Sequence, residues 1–209
     1  TRENLGLPKN GFVFCCFNNS YKILPSTFDS WMRILSRVDS SVLFLLAQNE
    51  DVKKNLQKEA IVRGIKPDRL IFGAKLSSSD YLARYRNADL FLDTSPYNAG
   101  ATASDALRSE LPLITLIGSS FASRHAASIL NAVGLPELIT ESTQDYESLA
   151  VELATNPGKL SAIKLKLVKN LPNSLLLDTK LFSQNIENAY QKIYQRNQDG
   201  FAPDHIFIK

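Results

Sequence analysis

Short runs of apolar, β-prone residues separated by stretches with a helical repeat constrain this chain more than any other feature. The runs lie at residues 12–17, 42–47, 70–72, 90–93 and 113–117, with a weaker one at 138–140. Each is apolar almost throughout, the pattern of a strand covered on both faces, whereas a half-exposed strand alternates. Between them, Phe28, Trp31, Met32, Leu35 and Val38 share one helical face, entered through Pro25 and a capping-box-like pair, Ser26 and Asp29. Residues 51–64 predict a second helix with a Gly stop, Tyr81, Leu82 and Tyr85 a third, and residues 101–110 a fourth. A fifth carries Ala122, Ala126, Ile129, Leu130 and Val133 and ends at Gly134. This alternation predicts an α/β fold, a Rossmann-like doubly wound parallel sheet with right-handed crossovers and ligands at the C-terminal strand ends. Beyond residue 140 the pattern turns helical, with one apolar stripe at Tyr146, Leu149, Ala150 and Leu153. Another lies at Phe182, Ile186, Ala189, Tyr190 and Ile193, to pack on the domain or on a further partner. The expected organisation is one unit over residues 1–197, its C-terminal helices starting at about 143, and a poorly ordered tail over 198–209.

Composition excludes several classes. With 24 Lys and Arg against 21 Asp and Glu, the net charge of +3 is too small for a nucleic-acid footprint. Cys15 and Cys16 are neighbours inside a strand, where a vicinal disulfide is strained, so they read as reduced core residues. No stretch approaches the ~20 apolar residues of a bilayer crossing, and no cleaved leader is recognisable. A reducing, cytoplasmic location is expected. The chain begins at Thr1 without a Met and enters a strand soon after, which reads as a piece of a longer protein. The G-x-G-x-x-G fingerprint of nicotinamide and flavin enzymes is absent.

The most informative segment is residues 90–107, an apolar strand, a loop with Pro96 and Gly100, and a helix start of small residues, Gly100, Ala101, Thr102 and Ala103. Small side chains let an anion approach the free N–H groups of a helix N-terminus, where the dipole adds about half a positive charge. The same residues also suit an ordinary βα connection capped by Thr102 or Ser104. Asn18, Asn19, Ser20, Tyr21 and Lys22 follow the first strand and reach the same rim. Lys22 fits either a solvated cation or a phosphate contact there. Arg84 is either a surface charge or a contact to a base, and Tyr81 either stacks on a base or packs. Gly118 to Arg124 read as a capped turn opening another helix.

Three segments in this order and spacing resemble the C-terminal catalytic lobe of the O-GlcNAc transferase family: Phe17-Asn-Asn-Ser-Tyr-Lys-Ile23, residues 92–107, and Phe121-Ala-Ser-Arg-His-Ala-Ala-Ser128. The similarity runs from about Gly11 to about Tyr194. Members with tetratricopeptide repeats, bacterial ones included, place those repeats and an N-terminal catalytic lobe before this region. The resemblance implies a GT-B architecture with a sugar nucleotide between two Rossmann-like lobes. By the same resemblance Lys22 contacts the donor's phosphates and acts on the leaving group, and Asn19 stands where the family has a Gln or similar amide. Arg84 matches a residue near the uracil, Asp105 an acid that bonds the ribose hydroxyls, and Thr102 a phosphate-binding hydroxyl. Animal enzymes carry His-Thr-Thr where this chain has Gly100, Ala101 and Thr102, a Lys near Ser78, a His at Tyr81, and an aromatic residue at Arg108.

The function so implied is that of the UDP-sugar-binding lobe, UDP-GlcNAc being the expected donor, of an inverting protein O-glycosyltransferase acting on Ser or Thr. The lobe is expected to be incomplete without its N-terminal partner, and to involve no nucleic acid, membrane or cofactor. No Asp-x-Asp loop lies at the strand ends, so metal-independent transfer is expected, with Lys22 and the Gly100 helix terminus supplying positive potential. A general base is not identifiable: His125 reads as lying on a helix among core-type residues, and His205 lies in the tail. Two alternatives stay open, a divergent UDP-sugar-binding module without transferase activity and a structural or interaction domain.

Overall fold

Every residue of the first strand, β1 (Val13–Cys16), is buried, because helices cover both of its faces. The computed structural model describes residues 1–74 and 76–208. The other strands are β2 (Val42–Leu46), β3 (Leu70–Gly73), β4 (Leu90–Leu92), β5 (Leu113–Leu116) and β6 (Ile139–Thr140). They form one parallel sheet of six strands in the order β3-β2-β1-β4-β5-β6. Consecutive strands run outward from β1 on one side and from β4 on the other, so the switch point lies between these two strands. Chain reversals on opposite sides of that point open a crevice outside the carboxyl ends of β1 and β4.

Helices α1 (Pro25–Arg37), α2 (Glu50–Val62), α3 (Ser78–Ala83), α4 (Ala101–Arg108) and α5 (His125–Ala132) connect the strands. Trp31, Ile34 and Leu35 of α1 are fully enclosed, and Trp31 Nε1 donates to the Tyr146 hydroxyl at 3.2 Å. That hydroxyl donates in turn to the Asp93 carbonyl at 2.9 Å, which ties α6 (Thr143–Thr155) to the end of β4. Cys15 and Cys16 are free and buried, with both thiols pushed up chiefly by burial.

Local details differ from the sequence pattern. The capping box at Ser26 and Asp29 does not form: Leu24 occupies the N-cap without a side-chain bond, and Pro25 in the first turn needs no N–H acceptor. Helix α5 begins at His125, not Ala122, because Gly118 to Arg124 close a serine-pinned turn. There Gly118 N–H donates to the Ser123 carbonyl at 2.9 Å and Ser120 N–H to Ser123 Oγ at 3.0 Å. Helices α7 (Pro157–Asn170) and α8 (Thr179–Gln198) follow α6. None of the residues of α8 is buried, so the stripe of Phe182, Ile186, Tyr190 and Ile193 stands exposed rather than packed on the sheet. Residues after Gly200 run back along α8, where Lys192 Nζ donates to the Phe207 carbonyl at 2.9 Å.

Candidate functional site

The loops after β1 and β4 flank the crevice, and a buried polar hub locks them together. Asn18 Nδ2 donates to Thr94 Oγ1 at 2.8 Å, and Thr102 Oγ1 donates to Asn18 Oδ1. Asp93, 2% exposed, accepts from the N–H groups of Thr94 and Ala99 at 2.7 Å each and from Thr115 Oγ1 at 2.7 Å. Burial lifts its carboxyl to about 6, against those hydrogen bonds, which favour the carboxylate. Asp93 and Asn18 thereby hold the loop that ends at Gly100, a role that sequence reasoning missed. An acid at the end of an apolar strand was the available signal.

Lys22 comes to this loop from the β1 side. Its Nζ donates to the Asn98 carbonyl at 3.0 Å and stands 3.8 Å from the centre of the Tyr97 ring. An ammonium carries three N–H donors, so the contact that fixes its position leaves others to turn toward an anion. Gly100 is the N-cap of α4 and offers no side-chain bond to the first turn, so the N–H groups of Ala101, Thr102 and Ala103 are capped by no side chain of the helix start. Lys22, Gly100, Ala101 and Thr102 thus gather at one helix terminus. The Thr102 hydroxyl gives its one proton to Asn18, so in place of the expected phosphate-binding hydroxyl Thr102 offers an anion its backbone N–H.

The remaining sequence candidates line a cavity of about 670 Å³ beside that terminus, with Asn19, Tyr81, Arg84 and Asp105 in its wall and Leu46, Gly73 and Leu82 adding apolar surface. Arg84 is not a surface charge. It sits in a 3₁₀ turn after α3, 2% exposed, its guanidinium carbon 5.4 Å from the Phe17 ring centre and 5.1 Å from that of Tyr81. Nη2 donates to the Ala74 carbonyl at 3.0 Å, while Nε and Nη1 are buried without a partner among the described residues. Burial holds its pKa below the ordinary value, with the neighbouring Tyr81 and Tyr85 opposing. Tyr81 is fixed as a wall by a 2.7 Å bond between its hydroxyl and that of the enclosed Tyr85. Asn19 Oδ1 accepts from Gln48 Nε2 at 3.2 Å. Burial raises the Asp105 carboxyl, with Arg108 opposing.

His125 opens α5 and is followed by the buried Ala126 and Ala127, but it is not itself part of the core. Its side chain is exposed, and its ring rests against the backbone of Gly100: a Cβ there would stand 3.0 Å from Cε1. Among the described residues no three His, Cys, Asp or Glu side chains gather in a metal-binding group, and no helix is long and apolar enough to cross a membrane.

Comparison with known proteins agrees with this geometry. The model of glycosyl transferase family 41 matches residues 1–186. The chain is 35% identical over 206 residues to a Caenorhabditis elegans UDP-N-acetylglucosamine–peptide N-acetylglucosaminyltransferase, covering 99% of this chain and 18% of that protein. It is 35% identical over 208 residues to the probable Arabidopsis thaliana enzyme SEC, covering 99% of this chain and 21% of that one. A mutant of the Thermobaculum terrenum O-GlcNAc transferase superposes with a TM-score of 0.84 at 31% identity, over 90% of this chain and 37% of that structure. The chain therefore spans about a fifth of the length of these curated relatives.

Proposed function

The chain belongs to glycosyl transferase family 41, and on that footing we propose that it is the donor lobe of an inverting, metal-independent protein O-glycosyltransferase that uses UDP-GlcNAc. The observation that carries this reading is the joining of two compartments at the sheet's switch point. The cavity of about 670 Å³ has the size for a nucleoside, and its wall combines apolar surface with polar side chains. Beside it, Lys22 and the α4 terminus offer fixed positive potential for the diphosphate. Asp105 at the cavity rim bonds the ribose hydroxyls, the Arg84 guanidinium in the cavity wall meets the uracil oxygens, and the Tyr81 ring stacks on the base.

In the proposed reaction a Ser or Thr hydroxyl oxygen attacks the anomeric carbon from the face opposite the diphosphate. The new C–O bond forms as the bond to the β-phosphate oxygen breaks, and the hydroxyl proton passes to a base outside this lobe. Negative charge grows on the departing UDP, and the Lys22 ammonium and the α4 dipole stabilise it without reorganising. Metal independence is supported by the residues themselves, since Asp93 is buried in the hub and Asp105 is assigned to the ribose. Titration calorimetry with UDP and UDP-GlcNAc in the presence of EDTA tests the reading. Binding of both is expected. Loss of UDP binding in chelator, restored by Mg²⁺ or Mn²⁺, overturns the metal-free account, and no binding under either condition overturns the donor-lobe assignment.

A further inference from the structure

Resting on that donor-site reading, we propose that His125 is a further diphosphate-binding residue, contributed by the start of α5 to the N-terminus of α4. Its placement is built. The turn before it is closed by Gly118, Ser120 and Ser123, and Asn98 N–H donates to the Ala122 carbonyl at 3.0 Å, which joins this turn to the loop that ends at Gly100. The imidazole consequently lies on Gly100 itself. A Cβ at residue 100 would stand 3.0 Å from Cε1 and 3.2 Å from Nδ1, closer than carbon and nitrogen atoms ordinarily approach, so glycine there and the ring of His125 occupy one space between them.

The ring is a surface group with work to do. His125 is exposed, and its ring nitrogens take no part in the hydrogen bonds of the surrounding turn. Its neighbour is the Phe121 ring, 5.5 Å away and tilted by 41°, which supports the imidazole on one side without engaging its N–H. A purely structural aromatic pair would need neither a bare glycine at residue 100 nor an uncapped helix end. The segments after three neighbouring strands of the sheet thus each bring groups to residues 98–103: Lys22 after β1, the α4 N–H groups after β4, and His125 after β5. A diphosphate has more oxygens than one helix terminus can bond, and an imidazole N–H beside that terminus donates to one of them.

The test compares UDP with uridine, because His125 reaches the phosphates and not the nucleoside cavity. In calorimetric titrations of the protein, His125→Ala is expected to weaken UDP about tenfold or more, the scale of one hydrogen bond to a charged group, and to leave uridine within about twofold. Retained uridine binding shows that the variant is folded. Gly100→Ala, which displaces the ring, is expected to weaken UDP in the parent and to add little in the His125→Ala background, because both changes act through one side chain. Unchanged UDP affinity in His125→Ala, or an equal loss for UDP and uridine, overturns the inference while the donor-site reading stands. A parent protein that binds neither ligand overturns both.

Discussion

Replacing Arg84 with Met should leave the fold nearly as stable and remove much of the nucleotide affinity, a combination that a structural arginine cannot show. The side chain is 2% exposed and has no partner for Nε and Nη1 among the described residues, which costs about 1–3 kcal/mol for each buried group. One bond to the Ala74 carbonyl offsets about 1.5–3 kcal/mol, and two cation–π contacts, to Phe17 and Tyr81, add about 0.5–2 kcal/mol each. These contributions nearly cancel. Met fills the space of the aliphatic stem, so the unfolding free energy should shift by no more than about 1 kcal/mol, or about 2–4 °C in Tm for a chain of this size. The guanidinium stands in the cavity wall that a base would meet, and losing it should weaken UDP about 10–100-fold. Denaturant unfolding and calorimetry on Arg84→Met measure the two quantities. A destabilisation above about 3 kcal/mol with unchanged UDP affinity would refute the reasoning and make Arg84 a structural cation.

Asp105→Asn should weaken UDP by roughly tenfold or more through loss of a charge-assisted bond to the ribose, and equal affinity in titrations would return Asp105 to a helix-start acid that favours the dipole. Lys22→Ala in the full-length enzyme should lower kcat about 10²–10³-fold with a much smaller fall in donor affinity, since charge grows on UDP in the transition state; a raised KM at intact kcat would instead assign it uniform binding. The Asp93 carboxyl, raised to about 6, keeps its proton in the folded chain over a range where the unfolded chain, at about 4, has lost it. Stability should therefore fall as pH rises from about 4 to about 6 and stay lower above that. Asp93→Asn, which still accepts the Thr94 and Ala99 N–H bonds, should flatten that slope, and an unchanged pH profile of unfolding would exclude Asp93 as its source.

Much of this architecture follows from local pattern. Continuous apolar runs marked all six strands, since a strand covered on both faces has no polar side to break the run. Small residues at 100–103 marked the α4 terminus, and the position of Lys22 after the first strand put it at the same rim. The groups that escaped local pattern owe their environment to distant residues. Local pattern leaves Arg84 open between a surface charge and a base contact, because helical spacing says nothing of Phe17 and Tyr81 closing over it. His125 reads as lying on a helix among core-type residues because apolar residues follow it, yet the serine turn delays α5 and leaves the ring outside, against a glycine 25 positions earlier in the chain. The stripe on α8 has a core helix's period without a core to meet among the described residues. Periodicity records which face of an element is apolar, a property of the element alone. Only the packed sheet, bringing the loops after β1, β4 and β5 to one switch point, determines which polar groups are desolvated, which are paired and which are left to meet a ligand.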